Sequence, residues 1–280
     1  MTAYARPESI VETEWVYEHL DDPSVRLVEV DVDTNVFDHG HISGAVGWNW
    51  QSQLQQGMVR DLIDKEGMQK LLSDSGISNS TTVILYGDNN NWFACWAFWQ
   101  LKYYGHQDVR IMNGGRIKWE LEGKPFVGTK SEVDSVPYLG KEPDESLRAY
   151  RDQVLKALSE SAISLVDVRS PDEYSGLLFA PENVPQEGSQ RAGHIPGAKN
   201  IPWAQATDSD GTFKSYAELL QLYKDNGITG EGNTVTYCRI GERSSHTWFV
   251  LTQLLGYSNV SNYDGSWTEW GSIVGAPIEK

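Results

Sequence analysis

The chain has 280 residues and a formal net charge of −16. That length suits two ordinary domains, each able to bury a core without covalent staples. A surface this acidic disfavours nucleic acid and anionic membranes as partners, and no apolar run is long enough to span a bilayer.

Met1 to Arg6 lack the charged flank and apolar core of a signal peptide, so a cytoplasmic protein is expected. The same acidity repels small anions. A site for one therefore needs its own local arginines.

In the first half, Val28-Glu29-Val30-Asp31 is strand-like, and His41-Ile42-Ser43-Gly44-Ala45 is a turn. The run from Trp92 to Trp99 is apolar throughout and reads as helical or buried. Cys95 lies inside it and reads as a small core residue. Residues 123–146 are rich in Gly, Pro, Lys and acids and show no periodicity, so they read as a linker. The expected domains are 1–123 and 147–280, joined by 124–146.

In the second half, residues 164–168 and 234–237 are β-branched, strand-like runs. Helices are expected over 151–158, 216–225 and 244–255. Gly227 and Gly256 follow two of them as C-terminal caps. Alternating strands and helices argue an α/β fold with a mainly parallel sheet flanked by helices. In such folds ligands bind at the carboxyl ends of the strands.

The two halves repeat. A shift of 151 places Leu71 on Leu222, Gly76 on Gly227, Tyr86 on Tyr237, Gly105 on Gly256, Gly114 on Gly265 and Trp119 on Trp270. His41-Ile42-Ser43-Gly44-Ala45 pairs with His194-Ile195-Pro196-Gly197-Ala198 at a slightly different offset. A longer second-half segment, 175–192, then sets Val28-Glu29-Val30-Asp31 against Leu165-Val166-Asp167-Val168. So long a period means two copies of one domain, not a solenoid.

Chemistry concentrates in Tyr237-Cys238-Arg239-Ile240-Gly241-Glu242-Arg243-Ser244-Ser245-His246. Here a strand ends, a short loop follows, and a helix begins at about Ser244, with Ser244 and Ser245 suited to its N-cap. Amides of the loop and helix start can converge on one anion, and Gly241 permits the tight turn. Arg239 and Arg243 add full charges. Together these favour a thiolate at Cys238, the reactive form of the residue. Phosphatase-like cradles put five residues between Cys and Arg. Here there are four, a smaller cradle suited to a terminal sulfur.

This loop, the His-Ile-x-Gly-Ala turns and the closing Asn262-Tyr263-Asp264-Gly265-Ser266-Trp267-Thr268-Glu269-Trp270 resemble the rhodanese family over essentially the whole chain. The resemblance implies two tandem rhodanese-like domains, with the active loop in the second and an inactive first copy. Gly87, in Gly87-Asp88-Asn89-Asn90-Asn91-Trp92, stands where the thiol would be. It implies a thiosulfate sulfurtransferase: Cys238 takes the outer sulfur of thiosulfate as a persulfide, sulfite leaves, and cyanide, a thiol or an acceptor protein removes the sulfur. No cofactor or metal is implied. Arg169 would hold the sulfonate end of the donor, and Arg191 could face the same cleft. Trp92, Phe93 and Trp203 would line a pocket, while His41 and His194 would be structural. Family members that read Cys-Arg-Lys-Gly use the Lys for thiosulfate; Ile240 takes its place here. The related 3-mercaptopyruvate sulfurtransferases read Cys-Gly-Ser-Gly, which this loop does not. A persulfide carrier serving a partner protein is the remaining alternative.

Overall fold

The computed structural model describes residues 3–160, 163–179 and 188–280. The chain divides into two compact units. One comprises Arg6–Asp144 with Thr207–Phe213; the other comprises Met1–Ala5, Glu145–Ala206 and Lys214–Lys280. Residues 124–144 hold no helix or strand and lie within the first unit, where Val127 bridges to His41 and Val136 donates to the Ser73 carbonyl.

The N-terminal sheet contains β1 (Ile10–Val11), β2 (Val25–Glu29), β3 (Val46–Gly47), β4 (Thr82–Tyr86) and β5 (Val109–Met112), in the order β1-β5-β4-β2-β3. Every pairing in it is parallel. Around it lie α1 (Thr13–Glu18), α2 (Lys65–Asp74), α3 (Trp92–Tyr103) and α4 (Gly115–Leu121). Of the residues in α3 only Lys102 escapes full burial, which is why this segment shows no polar face in the sequence. Cys95 lies inside it, fully buried, and burial pushes its thiol well up.

The C-terminal sheet repeats the plan with β6 (Ile163–Asp167), β7 (Lys199–Asn200), β8 (Asn233–Tyr237) and β9 (Val260–Tyr263), ordered β9-β8-β6-β7 and again parallel. Its helices are α5 (Arg151–Glu160), α6 (Pro171–Ser175), α7 (Tyr216–Asp225), α8 (Glu242–Phe249) and α9 (Ser266–Trp270). The first residue of β8 is exposed and the other four are buried, as in a central strand covered on both faces.

Equivalent hydrogen bonds fix how the copies correspond. Trp48 N–H donates to the Glu29 carbonyl as Ile201 N–H does to Asp167, and Val30 to Tyr86 as Val168 to Tyr237. Glu29 thus matches Asp167, and Asp31 matches Arg169. The pairing of Val28-Glu29-Val30-Asp31 with Leu165-Val166-Asp167-Val168 is corrected by one residue. In a strand, one residue is the difference between the two faces of the sheet.

The inserted segment ends in a clamp. Arg191 donates from Nη1 to the Ala276 carbonyl (2.8 Å), from Nη2 to those of Ile273 (2.6 Å) and Trp270 (3.2 Å), and from Nε to that of Gly271 (3.2 Å). The expectation that Arg191 faces a cleft is corrected: its fork holds the chain end that follows α9. Among the described residues, no helix is long and apolar enough to cross a membrane. Arg191→Ala should lower the stability of the C-terminal unit by roughly 2–3 kcal/mol, read from its urea midpoint, because several charge-assisted bonds are lost together. A change under about 0.5 kcal/mol would place the clamp elsewhere.

Candidate functional site

Cys238 follows β8 directly, with β6 and β9 alongside: Tyr237 is in register with Asp167 on one side and Tyr263 on the other. The chain then turns sharply through Gly241, whose φ is +99°. A Cβ at Gly241 would lie 2.6 Å from the Asp264 backbone, so no other residue fits this turn.

The turn directs the loop's carbonyls outward and the Gly241 amide inward. Trp267 and Thr268, in the first turn of α9, donate to the carbonyls of Cys238 (3.1 Å) and Arg239 (3.0 Å). The Gly241 carbonyl accepts from the side chains of Asn262 (3.0 Å), Ser244 (3.0 Å) and Ser245 (2.8 Å). Cys238 N–H is taken by the Ser266 hydroxyl at 3.0 Å. What faces the sulfur is the Gly241 N–H, 3.1 Å from Sγ, and Ser244 also pulls the thiol down. One expectation is corrected here. The helix begins at Glu242 with Gly241 at its N-cap, not at Ser244. Ser244 and Ser245 lie inside its first turns, and their hydroxyls reach back to the Gly241 carbonyl.

The charges are more closely balanced than the sequence implied. Arg243 is buried and makes a bidentate pair with Glu173 of α6 (2.8 and 2.9 Å). Glu173 also closes the capping box of α6 with Ser170. Burial pushes its carboxyl up, but the bonds and charge of Arg243 outweigh that and leave it below the usual carboxylate range. Glu242 is fully buried with Oε2 3.7 Å from Cys238 Sγ. Burial and this neighbouring carboxyl raise the Cys238 thiol above its ordinary value of 9.0, against the pull of Arg243 and Ser244. The loop is shaped for an anionic sulfur, yet burial and its own carboxyl oppose one.

Residues 12–122 and 151–273 match the rhodanese-like domain family. The chain belongs to that family. A protein of Mycolicibacterium smegmatis that carries the name of thiosulfate sulfurtransferase is 56% identical over 98% of this chain and 99% of its own. The "Sulfur carrier protein TtuD" of Thermus thermophilus is 57% identical over 99% and 98%. A solved structure of EanB, described as a cysteine persulfide in a tetrahedral intermediate state with ergothioneine, matches with TM-score 0.88 and 25% identity. It covers all of this chain and 72% of that one.

Within this rhodanese-like framework the other expected residues fall as follows. Arg169 is at the end of β6 as anticipated, but it is wholly buried. It bonds Asp167 through Nε (3.0 Å) and Nη2 (2.6 Å) and the Gly193 carbonyl through Nη2 (2.7 Å), and it lies over the Trp267 ring. Its guanidinium is thus engaged inside the unit by partners that the sequence reading did not give it. Arg239 is 3% exposed and lies in the field of Arg243, Glu173, Glu242 and Cys238. Trp203 is half-buried at the same end of the sheet, edge-on to His246 at 5.2 Å. Trp92 and Phe93 open α3 and stack on each other in the N-terminal unit, Phe93 also against Trp50. His41 and His194 are held alike, each by a carbonyl four or twenty residues back (Phe37, Tyr174) and a ring stacked on that same residue.

Sequence reasoning passed over Glu242, Glu173, Asn262 and Ser266. Only Glu173 left a local signal, as the acid of the Ser170-Pro171-Asp172-Glu173 capping box. Arg243→Met should strand the buried Glu173 carboxylate and cost the C-terminal unit ~3–5 kcal/mol in urea unfolding. Adding Glu173→Gln should restore part of it, and a double variant weaker than the single one would contradict the pairing. The pair also makes stability acid-sensitive. Its contribution is complete above the ordinary carboxyl value of 4.5 and is lost as pH falls through the lower folded value.

Proposed function

We propose that this chain is a thiosulfate sulfurtransferase acting through a Cys238 persulfide. The observation that carries the reading is the Gly241 amide aimed at Cys238 Sγ from 3.1 Å, at the carboxyl end of β8. A donor amide there stabilises a negative sulfur, first in the thiolate and then in the persulfide.

The thiolate attacks the outer sulfur of thiosulfate. A sulfur–sulfur bond forms to Sγ, the bond to the sulfonate breaks, and sulfite leaves with its electron pair. Cyanide or a thiol then attacks the terminal sulfur and restores the thiolate. Arg239 and Arg243 supply positive charge beside the nucleophile, and the name of the Mycolicibacterium relative agrees with this donor. The acceptor could also be a protein, a second reading favoured by the carrier name of the Thermus relative.

The N-terminal copy carries no chemistry in this account. Gly87 occupies the position of Cys238, and a Cβ there would stand 2.1 Å from the Val30 carbonyl oxygen. The surroundings are acidic: burial and then Glu29 push Asp31 up to about 9. Gly87→Cys should therefore gain no second labile sulfur after thiosulfate treatment, as judged by cyanolysis. Two labile sulfurs per chain would refute the inert copy.

Thiosulfate should be preferred to 3-mercaptopyruvate, because a compact dianion gains most from two adjacent guanidinium groups. Steady-state turnover of both donors with cyanide as the common acceptor decides this. A higher kcat/KM for mercaptopyruvate would overturn the donor and leave the persulfide chemistry standing.

A further inference from the structure

The residue after Gly241 is a buried acid in contact with the nucleophile, and nothing in the transfer as written gives it a task. Glu242 Oε2 accepts from the Cys238 thiol at 3.7 Å, and neither side chain reaches solvent. The charged groups packed around the pair include Arg239 on the loop, Arg243 on α8, and Glu173 of α6 bound to Arg243. Behind Gly241 stands Asp264, itself paired with Arg148 at 2.8 Å. The Arg169–Asp167 pair lies beyond Glu173.

A thiolate beside an ionised Glu242 would place two negative charges within hydrogen-bond distance of each other, both shut off from solvent, which a buried site does not tolerate.

We propose that Cys238 and Glu242 hold one proton between them, and that Glu242 carries it whenever Cys238 is the nucleophile. This rests on Cys238 being the nucleophile of the proposed transfer. At rest the thiol keeps the proton and Glu242 is the anion. For attack the S–H bond breaks and the proton passes to the Glu242 carboxylate. The thiolate then takes the donor's outer sulfur, and the persulfide anion inherits the single negative charge beside a neutral Glu242. When an acceptor removes the sulfur, the thiolate returns and recovers its proton. The pair bears one negative charge at every stage.

The test is the rate at which iodoacetamide alkylates Cys238, followed by mass across a wide pH range. Any opening step needed for access scales the rate and leaves the profile's shape. On a logarithmic scale the wild-type profile should rise, level off where the pair holds one proton, and rise again as the second is lost. Glu242→Gln has no carboxyl to share, so it should show one rise only. Its midpoint should lie about one pH unit or more below the upper wild-type step, since the repelling charge is gone. A single wild-type rise whose midpoint Glu242→Gln leaves in place would overturn the proposal. If Glu242→Gln does not fold, the wild-type profile decides alone, by one step or two. Iodoacetamide delivers no sulfur. A chain that shows two steps but takes no sulfur from thiosulfate would refute the sulfur-transfer reading and leave the proton pair intact.

Discussion

A negative sulfur can exist at the dry end of a parallel sheet only if amide hydrogens surround it, and the rest of the C-terminal unit is arranged to keep them there. The Cys238 loop is turned so that its carbonyls are held from behind, by the first amides of α9 and by the side chains of Asn262, Ser244 and Ser245. With the carbonyls fixed, the Gly241 amide has one direction left, toward Sγ. No reorganisation is needed when charge develops, which is the condition for such a donor to act strongly. Gly241 is the single position in the loop where both its positive φ and the nearness of Asp264 exclude a side chain.

The second consequence of burial is that the charges must nearly cancel. Arg243 does not stand by as a loose cation; it is fixed by Glu173, which also caps the helix that presents it. Arg169 is fixed in the same way by Asp167. In the N-terminal copy the equivalent end of the sheet is the reverse. Asp31 replaces Arg169, Gly87 replaces Cys238, and Arg116 is tied to Glu29. The duplicated framework survives there in its hydrogen bonds, such as those from Ile42 and Ile195 amides to the Tyr86 and Tyr237 hydroxyls (3.0 and 3.1 Å). The thiol does not.

Much of this was legible in the sequence. The repeat, the parallel sheets, the helix over Tyr216–Asp225 and the Cys238 loop at a strand end all rest on local patterns, and local patterns survive folding. Charges were read less well. Arg169 and Arg191 read as available cations, because a sequence shows a charge and not its partner. Their partners lie two residues away in the case of Asp167 and some eighty away in the case of the carbonyls after α9. Glu242 lay in full view between Gly241 and Arg243. Its contact with the thiol depends on the helix beginning two residues earlier than Ser244 and Ser245 suggested. The strand register slipped by one because the insertion before Ala192 hides the offset.

The central claim is that sulfur resides on Cys238 and nowhere else. Mass analysis of the intact protein after thiosulfate, followed by mapping of the modified peptide, measures this directly. The account predicts one added sulfur atom, located at Cys238, absent from Cys95, and removed by cyanide. An unmodified Cys238, or sulfur carried on Cys95, would contradict it.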